Sequence, residues 1–144
     1  MGDGSIGGAA CCRRTVILIL TLLITGACRS ESKSGPKPLM IGWRPIESWS
    51  GHGSTQTDSF DIGSGQFRIK WQCTNETKTG AGSLRVEVHS GVSGRPIALA
   101  IDHHGVGKDI AYVNDDPRPY YLVIESSNVD WRLAVEEAVV SATP

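Results

Sequence analysis

The triplet Asp102-His103-His104 is the densest group of chemically versatile side chains in the sequence. Imidazole and carboxylate groups bind metal ions and act as general bases, so the triplet suggests a metal-dependent hydrolase that uses these three residues. Neighbouring residues of a strand point to opposite sides, however, so His103 and His104 reach one metal ion only if a turn separates them. The other histidines, His52 and His89, stand at no recognisable ligand spacing from the triplet. A solvated turn is therefore the alternative interpretation.

A second group of oxygen-bearing side chains flanks the short apolar run that begins at Ile110. Ca²⁺ takes six to eight oxygen ligands, which carboxylates on two connections can supply in part. The residues concerned are Asp102, Asp109, Asn114, Asp115 and Asp116. Asp and Asn are also common in turns because they tolerate left-handed backbone and bond to their own main chain. The sequence leaves calcium binding and ordinary turn chemistry open, and it predicts no other cofactor.

Aromatic side chains offer a third kind of site, a recognition surface for a sugar or a protein. Trp and Tyr present large faces and are enriched where proteins bind partners. The candidates are Trp43, Trp49, Tyr112, Tyr120 and Tyr121. Adjacent residues of a strand face opposite sides, so either Tyr120 or Tyr121 is expected to be exposed. Tyr121, His103 and His104 are the candidate ligand-binding residues, and packing in the core is the alternative for most of the rings.

Length and charge limit the classes of function. At roughly 100 to 200 residues per domain, 144 residues leave room for one globular domain, which excludes a multidomain enzyme. The 14 basic and 15 acidic residues give a net charge of -1, so no nucleic-acid partner is expected. A Gly-rich phosphate loop, a nucleophile elbow and a paired set of catalytic carboxylates are all missing from the sequence. The sequence therefore favours a binding module over an enzyme, and no catalytic residue is assigned.

Residues 1–27 have the order of an export signal, in which positive charge precedes an apolar run. Arg13 and Arg14 are followed by residues 15–25, which are dominated by Ile and Leu. Eleven residues of helix reach about 17 Å, whereas a spanning helix must cross a hydrocarbon layer of about 30 Å. We therefore expect a signal that is removed rather than a permanent transmembrane helix.

The end of this run, Thr25-Gly26-Ala27-Cys28, resembles the lipobox of bacterial lipoprotein precursors. The resemblance implies that the signal is cut before Cys28 and that the Cys28 thiol carries lipid. Each buried CH₂ group of an acyl chain contributes about 0.8 kcal/mol to membrane binding, so two or three chains form a durable anchor. The expected location is the cell envelope, on the extracytoplasmic side of a membrane, with an envelope protein or a glycan as partner. The alternative is an ordinary secretory signal cut after Ala27, which leaves a soluble secreted or periplasmic protein.

Residues 28–39 contain few core-forming side chains and predict a flexible tether, and residues 40–144 predict an all-β domain. In residues 67–73 apolar side chains alternate with Arg68, Lys70 and Gln72, which predicts a half-buried strand with a basic outer face. Further strands are expected at residues 41–46, 60–62, 84–88, 97–101, 110–113 and 120–124. Turns rich in Gly and Asp separate these short strands, as is typical of a single antiparallel β-sandwich or barrel.

Three finer predictions follow from the same alternation. Cys73 lies on the apolar face of its strand and is expected in the core. Residues 97–101 carry apolar side chains on both faces, so this strand, with Pro96 as its first residue, is expected to be covered on both faces. Residues 130–140 fit either a strand or a helical face, and the need for a last strand that closes the sandwich favours the strand.

Residues 51–71 and 120–135 together resemble small bacterial secreted β-sandwich domains of jelly-roll or CUB-like type. The similarity lies in the order of a Phe-initiated strand, a Trp-bearing strand and a final aromatic strand that leads to another Trp strand. It implies an antiparallel sandwich, and for the CUB-like type it permits calcium bound by loop acids. It brings no catalytic residues.

Overall fold

The structure, a computed structural model, describes residues 39–142. The predicted signal over residues 1–27, the lipidation site at Cys28 and the tether up to residue 38 lie outside the described residues. The regular elements of the described part are β-strands, and none of its segments is a helix long and apolar enough to span a membrane. The first strand begins at Leu39, one residue before the predicted start of the domain.

Residues 39–142 form nine strands in two antiparallel sheets. The strands are β1 (Leu39–His52), β2 (Thr55–Gln56), β3 (Phe60–Ile62), β4 (Gln66–Thr74), β5 (Ser83–Ser90), β6 (Pro96–His104), β7 (Gly107–Asn114), β8 (Arg118–Ser127) and β9 (Asp130–Ala142). One sheet has four strands in the order β1-β9-β4-β7; the other has the order β2-β8-β5-β6, with β3 also paired to β8. The chain changes sheet at every connection except β2 to β3 and β5 to β6, which is the interleaved order of a jelly roll. The predicted antiparallel sandwich is confirmed.

The core lies between the two sheets and is built by the alternation that the sequence displays. Every second residue of a strand faces the same side, so the apolar residues of facing strands meet in one layer. The fully buried side chains include Phe67, Ile69, Leu84, Val86, Val88, Leu122, Leu133 and Val135. Cys73 is buried among them without a disulfide, and burial raises the pKa of its thiol. The core position of Cys73 is confirmed.

The last strand confirms the choice of a strand over a helix for residues 130–140. β9 pairs with β1 on one side and with β4 on the other, so it lies at the centre of the four-stranded sheet. Its inward residues Trp131, Leu133 and Val135 are buried. A helix at this place would leave the main-chain groups of β1 and β4 without their partner strand.

The expectation that residues 97–101 are covered on both faces is wrong, because Leu99 is 48% exposed. β6 is an edge strand of its sheet, and its pairing with β5 shifts by one residue between Ile101 and Leu99. Such a bulge changes which side chains face the core. Leu99 consequently lies opposite Glu87 on the outer side of the sheet. Pro96 is the first residue of the strand, as predicted.

One carboxylate is buried on the inner side of the four-stranded sheet. Glu137 of β9 is 2% exposed, accepts N–H hydrogen bonds from Gly63 (2.6 Å) and Ser64 (2.7 Å), and forms an ion pair with Arg44 of β1. Burial on its own would raise the pKa of Glu137, but the Arg44 guanidinium and the two N–H donors hold that pKa below its usual range. Glu137 therefore fixes the turn between β3 and β4 to β1 and β9.

Candidate functional site

The outer side of the four-stranded sheet, which we call the four-stranded face, collects side chains from β1, β9, β4 and β7. Residues directly opposite one another in an antiparallel ladder point to the same side. The register therefore forms three successive rows across the sheet. The rows are Tyr112-Arg68-Glu136-Pro45, Ile110-Lys70-Ala134-Ser48 and Lys108-Gln72-Arg132-Ser50.

A recess lies at the centre of the four-stranded face. Ala134 carries only a methyl group, whereas Lys70 beside it in the ladder and Arg132 in the next row have long side chains, so a gap opens above it. The recess has a volume of about 540 Å³. Its lining residues are Lys70, Trp71, Gln72, Lys108, Asp109, Ile110, Arg132 and Ala134. We call it the Ala134 recess.

The Ala134 recess has an excess of positive charge, because the basic side chains of Lys70, Lys108 and Arg132 point outward around it, whereas Asp109 alternates with Lys108 and Ile110 and points to the inner side of the sheet. Lys70 lies 3.4 Å from Glu136, but the ion pairs found among residues 39–142 include neither Lys108 nor Arg132. The carboxylate of Asp109 accepts the N–H of the adjacent Ile110 at 2.8 Å. Two cations are therefore available to a ligand in the recess.

Aromatic side chains form one end of the four-stranded face. The rings of Trp43 and Tyr112 are tilted against each other with centroids 5.9 Å apart, and Tyr112 is 61% exposed. The guanidinium of Arg68 lies 4.3 Å from the Trp43 ring centroid, a cation–π contact, and pairs with Glu136. These contacts hold Trp43 and Arg68 in place and leave the Tyr112 ring accessible.

The other end of the face is polar. The Nδ1 atom of His52 lies 2.9 Å from Oδ1 of Asp130, and Asn75 donates a 2.6 Å hydrogen bond to Oδ2 of the same carboxylate. The bond from Asn75, and then that with His52, lowers the pKa of Asp130. A second recess of about 510 Å³ lies here and shares Gln72 and Arg132 with the Ala134 recess. The two recesses thus adjoin at Gln72 and Arg132, and we call the pair of them the groove.

The structure separates the members of the Asp102-His103-His104 triplet. Asp102 and His104 share a shallow recess of about 340 Å³ on the outer side of the five-stranded sheet. His103 points the opposite way, with its ring centroid 4.7 Å from that of Trp71 and its Nε2 atom 3.3 Å from the carbonyl oxygen of Val106. The two histidines thus lie on opposite sides of β6, as the alternation of a strand predicts.

The aspartates considered as calcium ligands also lie apart. Asp109 and Asp115 are six residues apart along one extended segment, a distance of about 20 Å. Asp115 accepts a 3.0 Å bond from the Tyr120 hydroxyl, and both Asp115 and Asp116 pair with Arg118. Burial and the bond to Asp115 raise the pKa of Tyr120 to about 12. Within residues 39–142 no three His, Cys, Asp or Glu side chains are close enough to hold a metal ion.

Two of the five candidate aromatic residues lie on the four-stranded face. These two are Trp43 and Tyr112. Tyr120 is buried, and Trp49 packs against the core. Tyr121 lies on the other sheet, where its ring is 5.2 Å from that of His89.

Sequence reasoning missed Lys108, Arg132 and Ala134 as site residues. The basic outer face of β4 was a signal for this surface, but the register that places β7 and β9 beside it is not visible in the sequence.

A comparison of the sequence with models of known protein families finds no match, and a comparison with curated proteins finds none either. The functional argument therefore depends on the geometry and charge of the four-stranded face.

Proposed function

We propose that the protein is a binding module that is anchored by lipid on Cys28 to the extracytoplasmic side of a bacterial membrane and binds its ligand on the four-stranded face. The observation that carries this proposal is the groove through the Ala134 recess, whose cations Lys108 and Arg132 have no ion-pair partner among the described residues. Binding sites are typically concave and contain a few polar groups that fix the ligand. The groove has this character.

The geometry gives less support to the alternative of a metal-dependent hydrolase. That mechanism needs two or more side chains that converge on one ion. His103 and His104 face opposite sides of β6, and His103 is occupied by contacts with Trp71 and Val106. The groove, in contrast, offers charged, amide and aromatic groups at places where a bound molecule can reach all of them.

The membrane anchor is supported by the resemblance of residues 25–28 to a lipobox and by the tether that follows. Eleven residues in extended form reach about 36 Å, so the segment from Cys28 to residue 38 would hold the sandwich clear of the lipid headgroups. A module on such a tether can turn its four-stranded face towards material around the membrane. The proposed function thus combines attachment at one end with recognition at the other.

Replacement of the lipidated cysteine tests the anchor. Cys28→Ala should move the protein from the membrane fraction to the soluble fraction and abolish incorporation of labelled palmitate, whereas Cys12→Ala in the leader should do neither. Retention of Cys28→Ala in the membrane fraction after a carbonate wash would refute the lipid anchor.

Filling the recess tests the binding face. Ala134→Trp should weaken sedimentation of the protein with isolated cell-envelope material at least about tenfold, because the indole occupies the gap where the ligand lies. Ser127→Trp on the five-stranded sheet is the matched control, since Ser127 is exposed on the opposite surface of the sandwich. Thermal melting shows whether both variants fold. Equal binding by Ala134→Trp and the wild type would contradict the proposal.

A further inference from the structure

We propose that the groove through the Ala134 recess binds a polysaccharide whose sugar rings carry carboxylate groups. This inference rests on the proposed function and names the chemical class of its ligand. Charge, shape and the kind of hydrogen-bonding groups on the four-stranded face each support it.

The charge of the recess favours an anion. Arg132 and Lys108 lie on either side of Gln72 in one row of the ladder. Arginine binds a carboxylate through two parallel N–H bonds, and lysine acts as a flexible point charge. The outward side chains that line the recess supply three cations, and the one acidic residue of the lining, Asp109, points its carboxylate to the inner side of the sheet. A negatively charged group in the recess would therefore pair with Arg132 and Lys108 without displacing an existing ion pair.

The shape of the groove favours a chain over a compact molecule. The β4 residues that line the groove run from Lys70 to Thr74, a distance of about 13 Å, which is the length of two to three sugar rings. The accessible Tyr112 ring stands at one end, the cations lie in the middle, and the polar groups of Ser50 and His52 lie at the other end. A sugar ring can stack on Tyr112 while the next rings present hydroxyl and carboxylate groups to the recess.

The hydrogen-bonding groups of the face distinguish a polysaccharide from a polypeptide. An extended peptide typically binds by adding a strand to a sheet edge, where unpaired main-chain groups are available. The floor of the groove is made by β9 and β4, which are paired on both sides. A folded protein partner is also disfavoured, because lysine and alanine are depleted in protein interfaces and Lys70, Lys108 and Ala134 line the recess. The groove offers side-chain groups, which sugar hydroxyls and carboxylates can satisfy.

The probe that tests this inference is polygalacturonate, a polymer in which each sugar ring carries one carboxylate. Its fully methyl-esterified form is the matched control ligand. The ester keeps the rings and hydroxyls but lacks the negative charge. With the full chain purified in neutral detergent, titration calorimetry should show binding of the acid form and at least about tenfold weaker binding of the ester. Binding of the acid form should also weaken as salt rises, because exposed charges are screened. Equal affinity for the acid and the ester would overturn the inference.

Three single substitutions assign the binding to the four-stranded face. Lys108→Gln and Arg132→Gln should each weaken binding of polygalacturonate about tenfold, and Tyr112→Ala about threefold to tenfold. Arg85→Gln on the five-stranded sheet is the matched control and should bind like the wild type, because Arg85 is exposed but far from the groove. Equal losses for Arg85→Gln and Arg132→Gln would show non-specific charge attraction and would refute the site. All four side chains point outward, and melting temperatures verify that the variants fold.

Two further outcomes separate this inference from the proposed function. Poly-glutamate carries carboxylates on a peptide chain, so binding as tight as that of polygalacturonate would overturn the choice of a polysaccharide. If polygalacturonate does not bind while Ala134→Trp still abolishes binding to envelope material, the ligand class is wrong and the binding face stands. If Ala134→Trp leaves binding to envelope material unchanged, both the ligand class and the proposed binding face are wrong.

Discussion

The outer sides of the two sheets use the same alternation of residues but differ in how their charges are paired. On the five-stranded sheet Arg85 lies 2.7 Å from Glu87 and 3.7 Å from Glu125, and His89 lies 3.2 Å from Glu87. The hydrogen bond from Arg85, and then that from His89, lowers the pKa of Glu87, while the bond to Glu87 raises the pKa of Arg85. Arg85 of this face is therefore paired with carboxylates.

The four-stranded face has two cations that no neighbouring carboxylate satisfies. Glu136 is shared by Arg68 and Lys70, which leaves Lys108 and Arg132 without an ion-pair partner among the described residues. The strands of both faces show the same alternation of inward and outward residues, so the difference in charge pairing comes from which strands lie side by side. A row of charges is a binding surface only when the register leaves some of those charges unpaired, and this distinguishes the two sides of the sandwich.

The largest expected effect comes from reversing the two unpaired charges of the four-stranded face. The double variant Lys108→Glu with Arg132→Glu should weaken binding of polygalacturonate by about a hundredfold or more, because two attractive contacts become repulsive. The readout is the same calorimetric titration. A single reversal on the other face, Arg85→Glu, should change the affinity by less than about twofold. An undiminished affinity of the double variant would show that the two faces do not differ in the way that the ion pairs indicate.

The next effect concerns the framework that both faces share. Glu137→Gln removes the ion pair with Arg44 and weakens the N–H bonds from the turn between β3 and β4, which should lower the free energy of unfolding by about 2 kcal/mol. Urea unfolding measures this change. The exposed pair of Arg85 and Glu87 on the five-stranded sheet gives the contrast, since Glu87→Gln should leave the free energy of unfolding nearly unchanged. A similar cost for both variants would mean that the buried carboxylate has no special structural role.

Acid should reveal a further difference between the faces. Burial alone would raise the pKa of Glu136, but Arg68 and then Lys70 lower it, so the folded state holds this carboxylate ionised below the usual pKa of Glu, about 4.3. The stability that this group contributes is complete above that pH and is lost as the pH falls through the folded-state pKa. Glu136→Gln should therefore flatten the loss of stability as the pH falls below about 4.3, the usual pKa of Glu, as measured by urea midpoints. An unchanged slope would argue against the pairing with Arg68.

The sequence predicted most of the fold because alternation is a local signal. Apolar residues of β4 and β9 recur at every second position, so the strands and the buried Cys73 could be placed from the sequence. The exposure of Leu99 could not, because it depends on a bulge in the pairing of β6 with β5. A bulge arises from contacts between strands and leaves no mark within one of them.

The candidate site was harder to predict for the same reason. The triplet Asp102-His103-His104 attracts notice because its members adjoin in sequence, yet a strand sends His103 and His104 to opposite sides. Lys108 and Arg132 are 24 positions apart in the chain and become neighbours of Gln72 only through the register of β4 with β7 and β9. Alternation predicts which residues point outward from each strand, and only the strand order shows which of them lie together.

The smallest expected effect is a gain of binding on the face whose charges are satisfied. If unpaired cations make the four-stranded face a binding surface, then removal of the carboxylates that surround Arg85 should make the other face weakly attractive to the same polymer. The double variant Glu87→Gln with Glu125→Gln should therefore bind polygalacturonate about threefold more tightly when the groove is blocked by Ala134→Trp. The methyl ester should show no gain, since the new contact is electrostatic. We expect no larger gain in affinity, because a single freed cation has neither a recess nor an aromatic neighbour beside it. A gain as large as the loss caused by Arg132→Gln would show that charge alone, rather than the groove, determines where the polymer binds.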